Sequence, residues 1–508
     1  MELGRPSAAA GFIVPLSLLG DQQATTLRRL IFSRHAFASI DAFPQKDDPR
    51  RRVFPEAKLP TCVVALRCRV PGDDAFRVTA HPGRWFGEVV GQYETTRRKV
   101  AKADPKTLAI PLLTSDTASG LAAKLQNAPG ACHMGDLFTS SQGEINETTM
   151  DHLVYRERRI GPKILRGSNI RRYWFDPDAR QGVDKFLDLR EYRRTVGGGR
   201  VADTTRPRFG YQRNAALDSS RRLLFTELPV PCYCFDSISY IPIEDETQPY
   251  AWLALLNSDL LEWVFRQTST NNHVSTDQVH RLPALRNTPA LGRTPQRELD
   301  RLVADALEIS GNAARAHAAA AFVERLSRDL HSSRPRVDGA LGVLDALGRA
   351  LIALERERRE AIDTFYIDLE GLLGGQAQRL GRLWTPPRIS PRTSDRARAR
   401  HEREMEEAGP TLGPLAERVL EFGAVGLLNE EQWRWLVPRR VPRLQGLGDV
   451  VQAFRRRQPG IAALDQRVNA TEWMINHIIY SAFRLSLEEV DLVESALRRR
   501  TSISTTAG

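Results

Sequence analysis

The chain has 508 residues, 41% hydrophobic, 27% charged and 7% aromatic, with 35 glycines and 30 prolines. That mixture excludes a disordered, collagenous or low-complexity protein and leaves room for about three globular domains. The 73 Lys and Arg against 62 Asp and Glu give a formal charge of +11, which points to a polyanionic partner, nucleic acid or an anionic membrane surface.

Five cysteines, Cys62, Cys68, Cys132, Cys232 and Cys234, cannot complete a disulfide framework, so a reducing, cytoplasmic location is expected. The Cys232-x-Cys234 spacing puts both thiols on one face of a strand and is not the spacing of a zinc or thioredoxin site. No apolar run reaches the roughly 18–20 residues that cross a membrane, so no membrane partner is expected. Ala8–Gly20 imitates a signal core behind Arg5, but Pro15 interrupts it and no small-x-small cleavage site follows.

Gly11–Leu19 is an apolar run suited to a buried strand. Thr25–Phe32 has helical spacing. Ala38–Phe43 and Thr61–Leu66 read as two more strands, separated by the charged loop Gln45–Arg52. This order predicts the edge of an α/β sheet rather than a whole one. Residues 92–129 read as a connector with one short helix near Ser119–Leu125. From Gly130 to Leu285 short β-like pieces alternate with Gly-, Asn- and Arg-rich turns, with one helix at Pro249–Gln267.

From Thr294 onward the chain reads as helical, with helices at Gln296–Ile309, Ala313–Leu330 and Val343–Leu373. Leu344, Leu347, Leu351 and Leu354 make a helix-pairing stripe that Arg358 interrupts. Trp384–Arg392 is proline-rich and Asp395–Glu407 is charged, so a linker is expected there. Asn469-x-x-Glu472 and Ser486-x-x-Glu489 fit capping boxes and predict the last helices from about Thr471 and Ser486. Trp252, Trp263, Trp473 and Tyr480 fall in apolar helical patterns and are expected in the core. The expected fold class is α+β: a partial α/β sheet, a mixed α/β domain and a mainly helical C-terminal region.

The charge is concentrated. Tyr155–Arg222 holds 18 Lys and Arg against 8 Asp and Glu, a net of +10, and the rest of the chain carries almost none. These residues do not line one face of an amphipathic helix, as a membrane-surface segment would. They sit among Gly167, Asn169, Tyr173, Trp174, Phe209 and Tyr211, and basic groups interleaved with aromatics are a footprint of nucleic-acid binding. Arginine dominates, and its guanidinium reaches two acceptors of one guanine or one phosphate.

Four stretches then occur in a telling order: Gln142–Thr148 (QGEINET), Gly161–Tyr173 (GPKILRGSNIRRY), Ala251–Ser258 (AWLALLNS) and His273–Pro283 (HVSTDQVHRLP). Together they resemble the target-recognition domain of TaqI-like adenine-specific DNA methyltransferases of restriction-modification systems. The resemblance covers residues 130–290. Gly11–Gly20, Thr25–Ser33, Ala38–Phe43, Val53-Phe54 and Thr61–Cys68 resemble the end of the same family's methyltransferase sheet, and Thr471–Glu489 its helical tail. The resemblance implies a methyltransferase-sheet remnant at 1–91, a connector at 92–129, the recognition domain at 130–290, a helical region at 291–383, a linker at 384–410 and a C-terminal helical region at 411–508.

Two family motifs are missing from the sequence. No Gly-rich acidic loop for S-adenosylmethionine is found, and no Asn/Asp-Pro-Pro-Tyr/Phe string; Thr385-Pro386-Pro387-Arg388 lacks both the amide and the aromatic. In the family these groups accept hydrogen bonds from the target amine and stack on the flipped base. Loss of one such acceptor costs on the order of 10²–10³ in rate. The chain is therefore expected to begin inside a methyltransferase domain, to hold no cofactor and no catalytic residue itself, and either to have a partner chain carrying the first half or to be a truncated product that behaves poorly in solution.

The resemblance implies contacts to double-stranded DNA. Arg166, Asn169, Arg171 and Arg172 are candidates for phosphate or base contact, or else form a turn with solvated arginines. Gln142 is a further candidate, and Glu144 and Asn146 either reach base edges or orient their neighbours. Arg206 and Arg208 flank Pro207 as candidate phosphate contacts. Asn271, Asn272 and His273 either reach the groove or make a plain C-terminal turn. Three functions remain in play: the specificity portion of an adenine-N6 methyltransferase or restriction-modification enzyme, a methyltransferase completed in trans, and a helical scaffold with an incidental basic surface.

Overall fold

The computed structural model describes residues 8–506 except 46–48, 58, 69–71, 157–160, 180–182, 197, 217–218, 245–247, 270–271, 313–314, 316–317 and 374–446. The expected linker segments Trp384–Arg392 and Asp395–Glu407 lie outside the described residues. The fold is α+β, and among the described residues no helix is long and apolar enough to cross a membrane.

The first elements are β1 (Ala9–Pro15), α1 (Ser17–Gly20), α2 (Thr25–Arg34), β2 (Ala36–Phe43), β3 (Thr61–Arg67), β4 (Phe76–Ala80), β5 (Gly91–Thr95), α3 (Arg97–Ala103) and α4 (Asp116–Leu125). The strands form one sheet in the order β1-β3-β2-β4-β5. Only β2–β4 is parallel; the other pairs are antiparallel. Cys62, Val64 and Leu66 alternate inward along β3. In β2 the register shifts between Phe37 and Ser39, so the inward set moves from Phe37 to Ile40 and Ala42. Phe37 then meets Phe32 and Phe76 at 5.0 and 5.2 Å between ring centroids.

Two expectations change here. The sheet has five strands, not the three read from sequence. And β1 is not a buried strand: among the described residues it pairs only with β3, and Phe12 and Ile13 are 41% and 57% exposed. The opposite edge is covered. Gln92 donates to the Thr114 carbonyl at 3.4 Å and Glu94 N–H to Asp116 Oδ1 at 3.1 Å. Gly91 permits this approach, since a Cβ there would lie 2.5 Å from Thr114 Cα.

From 131 to 285 the elements are β6 (Ala131–His133), β7 (Ser141–Gln142), β8 (Val154–Tyr155), β9 (Ile164–Leu165), β10 (Phe186–Leu187), α5 (Leu189–Thr195), α6 (Gly198–Asp203), β11 (Arg208–Gln212), β12 (Phe225–Glu227), β13 (Tyr233–Cys234), β14 (Ile238–Pro242), α7 (Pro249–Leu256), α8 (Asp259–Thr268), α9 (Thr276–His280) and β15 (Pro283–Leu285). β12-β11-β14-β7 is an antiparallel sheet, and β8–β10, β9–β13 and β6–β15 are two-stranded. The single helix expected at Pro249–Gln267 is two helices, because Ser258 Oγ accepts the Leu261 N–H at 3.2 Å and caps a fresh start.

The helices that follow are α10 (Gln296–Gly311), α11 (Ala318–Leu330), α12 (Val337–Leu373), α13 (Leu447–Ala482) and α14 (Leu487–Thr506). Leu344, Leu347, Leu351 and Leu354 are all buried. Ser486 and Glu489 do form a reciprocal cap: Glu489 N–H donates to Ser486 Oγ at 3.3 Å, and Ser486 N–H to Glu489 Oε2 at 2.7 Å. Asn469 caps nothing, since it lies inside α13. Trp252, Trp263 and Tyr480 are buried as expected, whereas Trp473 is 37% exposed and stacks on His477 at 3.9 Å.

The chain divides into two compact units, one of Met1–Leu307, Ala320–Arg349 and Trp473–Arg500, the other of Glu308–Ala319, Ala350–Glu472 and Thr501–Gly508. In the second, the ion pairs Arg358–Asp465, Arg457–Asp368 and Arg467–Glu357 set parts of α12 and α13 antiparallel. Arg358, which interrupts the leucine stripe, thereby has its carboxylate on the other helix.

Candidate nucleic-acid interface

Two of the motif stretches meet across β13 and its flanks. Gly143 N–H donates to Ile238 O at 2.8 Å, Ile145 N–H to Cys234 O at 3.1 Å, and Phe235 N–H to Leu165 O at 2.9 Å. A Cβ on Gly143 would lie 2.1 Å from Phe235 O, so only glycine fits. Gln142 is half-buried in β7. Asn146 accepts the N–H groups of Thr148 and Thr149 at 3.0 Å each and donates to Asp236 Oδ2 at 3.1 Å, the work of a turn-forming asparagine.

Glu144 and Arg208 are 1% exposed each and face one another at 3.4 Å. Glu144 Oε1 also accepts the Cys234 N–H at 3.0 Å. Arg208 donates to Cys232 O at 2.9 Å, lies 3.1 Å from Cys232 Sγ and covers the Tyr240 ring at 4.3 Å. Burial pushes the Glu144 carboxyl up from its ordinary value, and Arg208 opposes that push. Cys232 and Cys234 both face this cluster and both are buried; the hydrogen bond from Cys234 draws the Cys232 thiol down. Of the two readings of Glu144, the one in which it orients its neighbours fits this enclosure, and the expected phosphate contact of Arg208 is corrected: two charges enclosed by protein are each other's partner.

Asn169 is corrected likewise. It is 2% exposed, its Oδ1 accepts the Arg166 N–H at 2.8 Å and its Nδ2 donates to Asp176 O at 2.7 Å, which closes the turn that Gly167 opens. Arg166 is half-buried over the Phe235 ring at 4.4 Å and makes two bonds to Glu147, at 2.8 and 3.2 Å. Lys185 joins the same carboxylate. Hydrogen bonding from Arg166 above all holds the Glu147 carboxyl down at about 2.

Arg171 remains about half exposed, 3.5 Å from Asp176. Arg172 Nε donates to Asn257 O at 3.1 Å. Asn257, from the LALLNS stretch, brackets β12 by accepting the Phe225 N–H at 3.0 Å and donating to Phe225 O at 2.9 Å. Asn272 O accepts the Ala215 N–H at 2.9 Å, and exposed His273 bonds Asn214 Oδ1 at 2.8 Å. Asn271 lies outside the described residues.

What remains for a polyanion is a different set. Arg156, Arg190, Arg193 and Arg206 are exposed, and among the described residues their side chains have no hydrogen-bond or ion-pair partner. Arg190 and Arg193 ride on α5, whose start is fixed by Asp188 accepting the Glu191 N–H at 3.0 Å. Only Arg206 was named from sequence. Arg156, Arg190 and Arg193 stood within the basic segment, and the Asp188-x-x-Glu191 start signal marked the helix that presents two of them.

No family model matches the chain, and no curated protein matches it. Among solved structures it is similar to the Type IIL restriction-modification enzyme MmeI in complex with DNA, at 9% identity and a TM-score of 0.36, over 67% of this chain and 46% of that one. It is also similar to the type IIG restriction endonuclease BpuSI, at 9% identity and a TM-score of 0.24, over 57% of this chain and 41% of that one. The chain spans less than half the length of either. Likenesses of this size assign no substrate, cofactor or site residue to the chain.

Proposed function

We propose that the chain recognises a DNA sequence as the specificity portion of an adenine-N6 DNA methyltransferase or restriction-modification enzyme, and does not catalyse on its own. The observation that carries this is the net charge of +10 over Tyr155–Arg222, left uncompensated at the surface by Arg156, Arg190, Arg193 and Arg206. Phosphate contacts from these arginines supply salt-dependent affinity, and groove contacts from the same region choose the sequence. The order of the QGEINET, LRGSNIRRY and LALLNS stretches supports the assignment to adenine methyltransferases.

The reading assigns no S-adenosylmethionine site to this chain. Gly198 and Gly199 open α6, and among the described residues the element before it is the helix α5 rather than a strand, so the strand–loop–helix cradle such a cofactor uses is not formed there. The cofactor and the methyl-transfer chemistry then belong to a partner chain, which would make a complete methyltransferase in trans. Among the described residues β1 is paired on one side only, which favours this reading, since an unpaired apolar edge invites another strand.

The test is selection of a random-sequence duplex pool on the purified chain at about 150 mM salt. Enrichment of one motif is expected. Binding without enrichment, or none, removes the recognition function; methylation by the chain alone removes the division of labour.

A further inference from the structure

A surface concavity of about 590 Å³ lies between the loop that precedes α10 and the turn that joins α11 to α12. It is lined by Pro289, Leu291, Gly292 and Arg293 from the loop, and by Asp329, Ser332, Ser333, Arg334 and Arg336 from the other side. All of these residues belong to one compact unit.

The walls are fixed. Gly292 N–H donates to Pro335 O at 2.9 Å, and a Cβ at Gly292 would lie 2.5 Å from Arg334 O, so the two loops touch through glycine. Ser332 Oγ donates to Asp329 O and Arg334 O at 2.9 Å each. Arg336 is held by Glu298 at 3.0 and 2.9 Å. Thr294 N–H and Oγ1 both bond Asp338, at 2.8 and 2.9 Å.

On this frame two cations are left over. Arg293 and Arg334 are exposed, and among the described residues neither guanidinium has a hydrogen-bond or ion-pair partner. The Ser333 hydroxyl is likewise unused. Arg336 is neutralised by Glu298, and Asp329 is the one carboxylate in the lining, so the free cations outnumber the free anion. Two forked donors and a hydroxyl around a fixed recess suit a tetrahedral oxyanion, and guanidinium prefers phosphate among these.

We infer that this recess binds a phosphate group through Arg293, Arg334 and Ser333. The phosphate comes either from a DNA backbone or from a free phosphate compound, and the site lies outside the basic segment Tyr155–Arg222.

The whole chain is titrated with inorganic pyrophosphate by calorimetry, and with a duplex of fixed sequence by anisotropy across a salt series. The same titrations are run on Arg293→Ser/Arg334→Ser and on Ser333→Ala. If the phosphate is free, the double variant binds pyrophosphate about tenfold or more weakly. If it is a backbone phosphate, the salt slope of DNA binding falls by about two. A double variant unchanged towards both probes overturns the site, as does a native chain that binds neither. A native chain that binds pyrophosphate, loses it in the double variant and ignores DNA keeps the site and ends the DNA-recognition reading. Unchanged circular dichroism of the variants excludes misfolding as the cause.

Discussion

Between Phe12 and Val90 the surface carries Phe12, Ile13, Leu27, Leu30, Trp85 and Phe86 among its exposed side chains. Between Tyr155 and Arg222 it carries Arg156, Arg190, Arg193 and Arg206. Ten of the seventeen large hydrophobic side chains exposed among the described residues lie in the first of these regions. The interiors are opposite in the same sense. The first region packs Phe32, Phe37 and Phe76 against a sheet of alternating apolar residues. The second encloses charged side chains, with Arg208 on Glu144 and the buried Arg222 guanidinium donating to Ser269 Oγ at 2.6 Å.

The difference separates two kinds of partner. An exposed apolar surface beside an open strand edge is relieved by another protein surface. Unpaired arginines on a frame whose other charges are internally satisfied are relieved by a polyanion. On the proposed function, the apolar surface is the side for the partner chain and the arginine surface the side for DNA.

The largest expected effect lies in the second interior. Glu144→Leu leaves Arg208 buried without its carboxylate and should cost about 3–5 kcal/mol. Arg208→Leu should cost a similar amount for the mirror reason. The double substitution removes both charges at once and should recover most of the loss. Urea unfolding of the three variants measures this; additive losses in the double variant would show that the two side chains are not coupled.

On the first surface, Phe12→Asp/Ile13→Asp should hardly change stability, since both side chains already face water. It should abolish concentration-dependent association of the native chain, because burying each such side chain against a partner gains about 1.5–3 kcal/mol. Sedimentation velocity over a concentration series decides. A native chain that stays monomeric throughout argues against β1 as an association edge.

The arginine surface should respond in the opposite way. Arg190→Ser/Arg193→Ser/Arg206→Ser should leave unfolding within about 0.5 kcal/mol of native. It should also lower the salt slope of duplex binding by about three, one for each lost phosphate contact. The same three changes leaving the slope intact would place the DNA elsewhere.

These surfaces were unequally legible in the sequence. β2 and β3 were read to within two residues because Ile40 and Phe43 in the one and Thr61, Val63 and Val64 in the other are strong strand formers. β4 and β5 were missed: FRVTA and GQYET are five residues each and half polar, too short for alternation to stand out. The orientation of β1 could not be read either, since a central and an edge strand differ only in who lies beside them. In the candidate interface, the basic segment was legible as composition. Which arginines stay free was not, because Glu144 meets Arg208 and Glu147 meets Arg166 across 64 and 19 residues. Asn169 looks like a surface polar residue in a string; only the closed turn shows that its amide faces inward.

The smallest effect comes from the pair that disarms a predicted DNA contact. Glu147 is held down at about 2, chiefly by the hydrogen bond from Arg166. A carboxyl whose folded value is depressed stabilises the protein above its unfolded value, about 4.3, and loses that stabilisation as pH falls through the folded one. The pair is open to water, with 36% of the Glu147 side chain exposed, so the contribution is below about 1 kcal/mol. Glu147→Gln should therefore be slightly less stable than native near neutral pH, and the gap should narrow below about pH 4.3 and close towards pH 2. At neutral pH the same variant releases Arg166 and Lys185, both paired with Glu147, and should tighten duplex binding while steepening its salt slope by up to about two. A stability gap that persists to pH 2 would refute the ion-pair account. An unchanged slope would mean that Arg166 supports Phe235 whether or not its charge is matched.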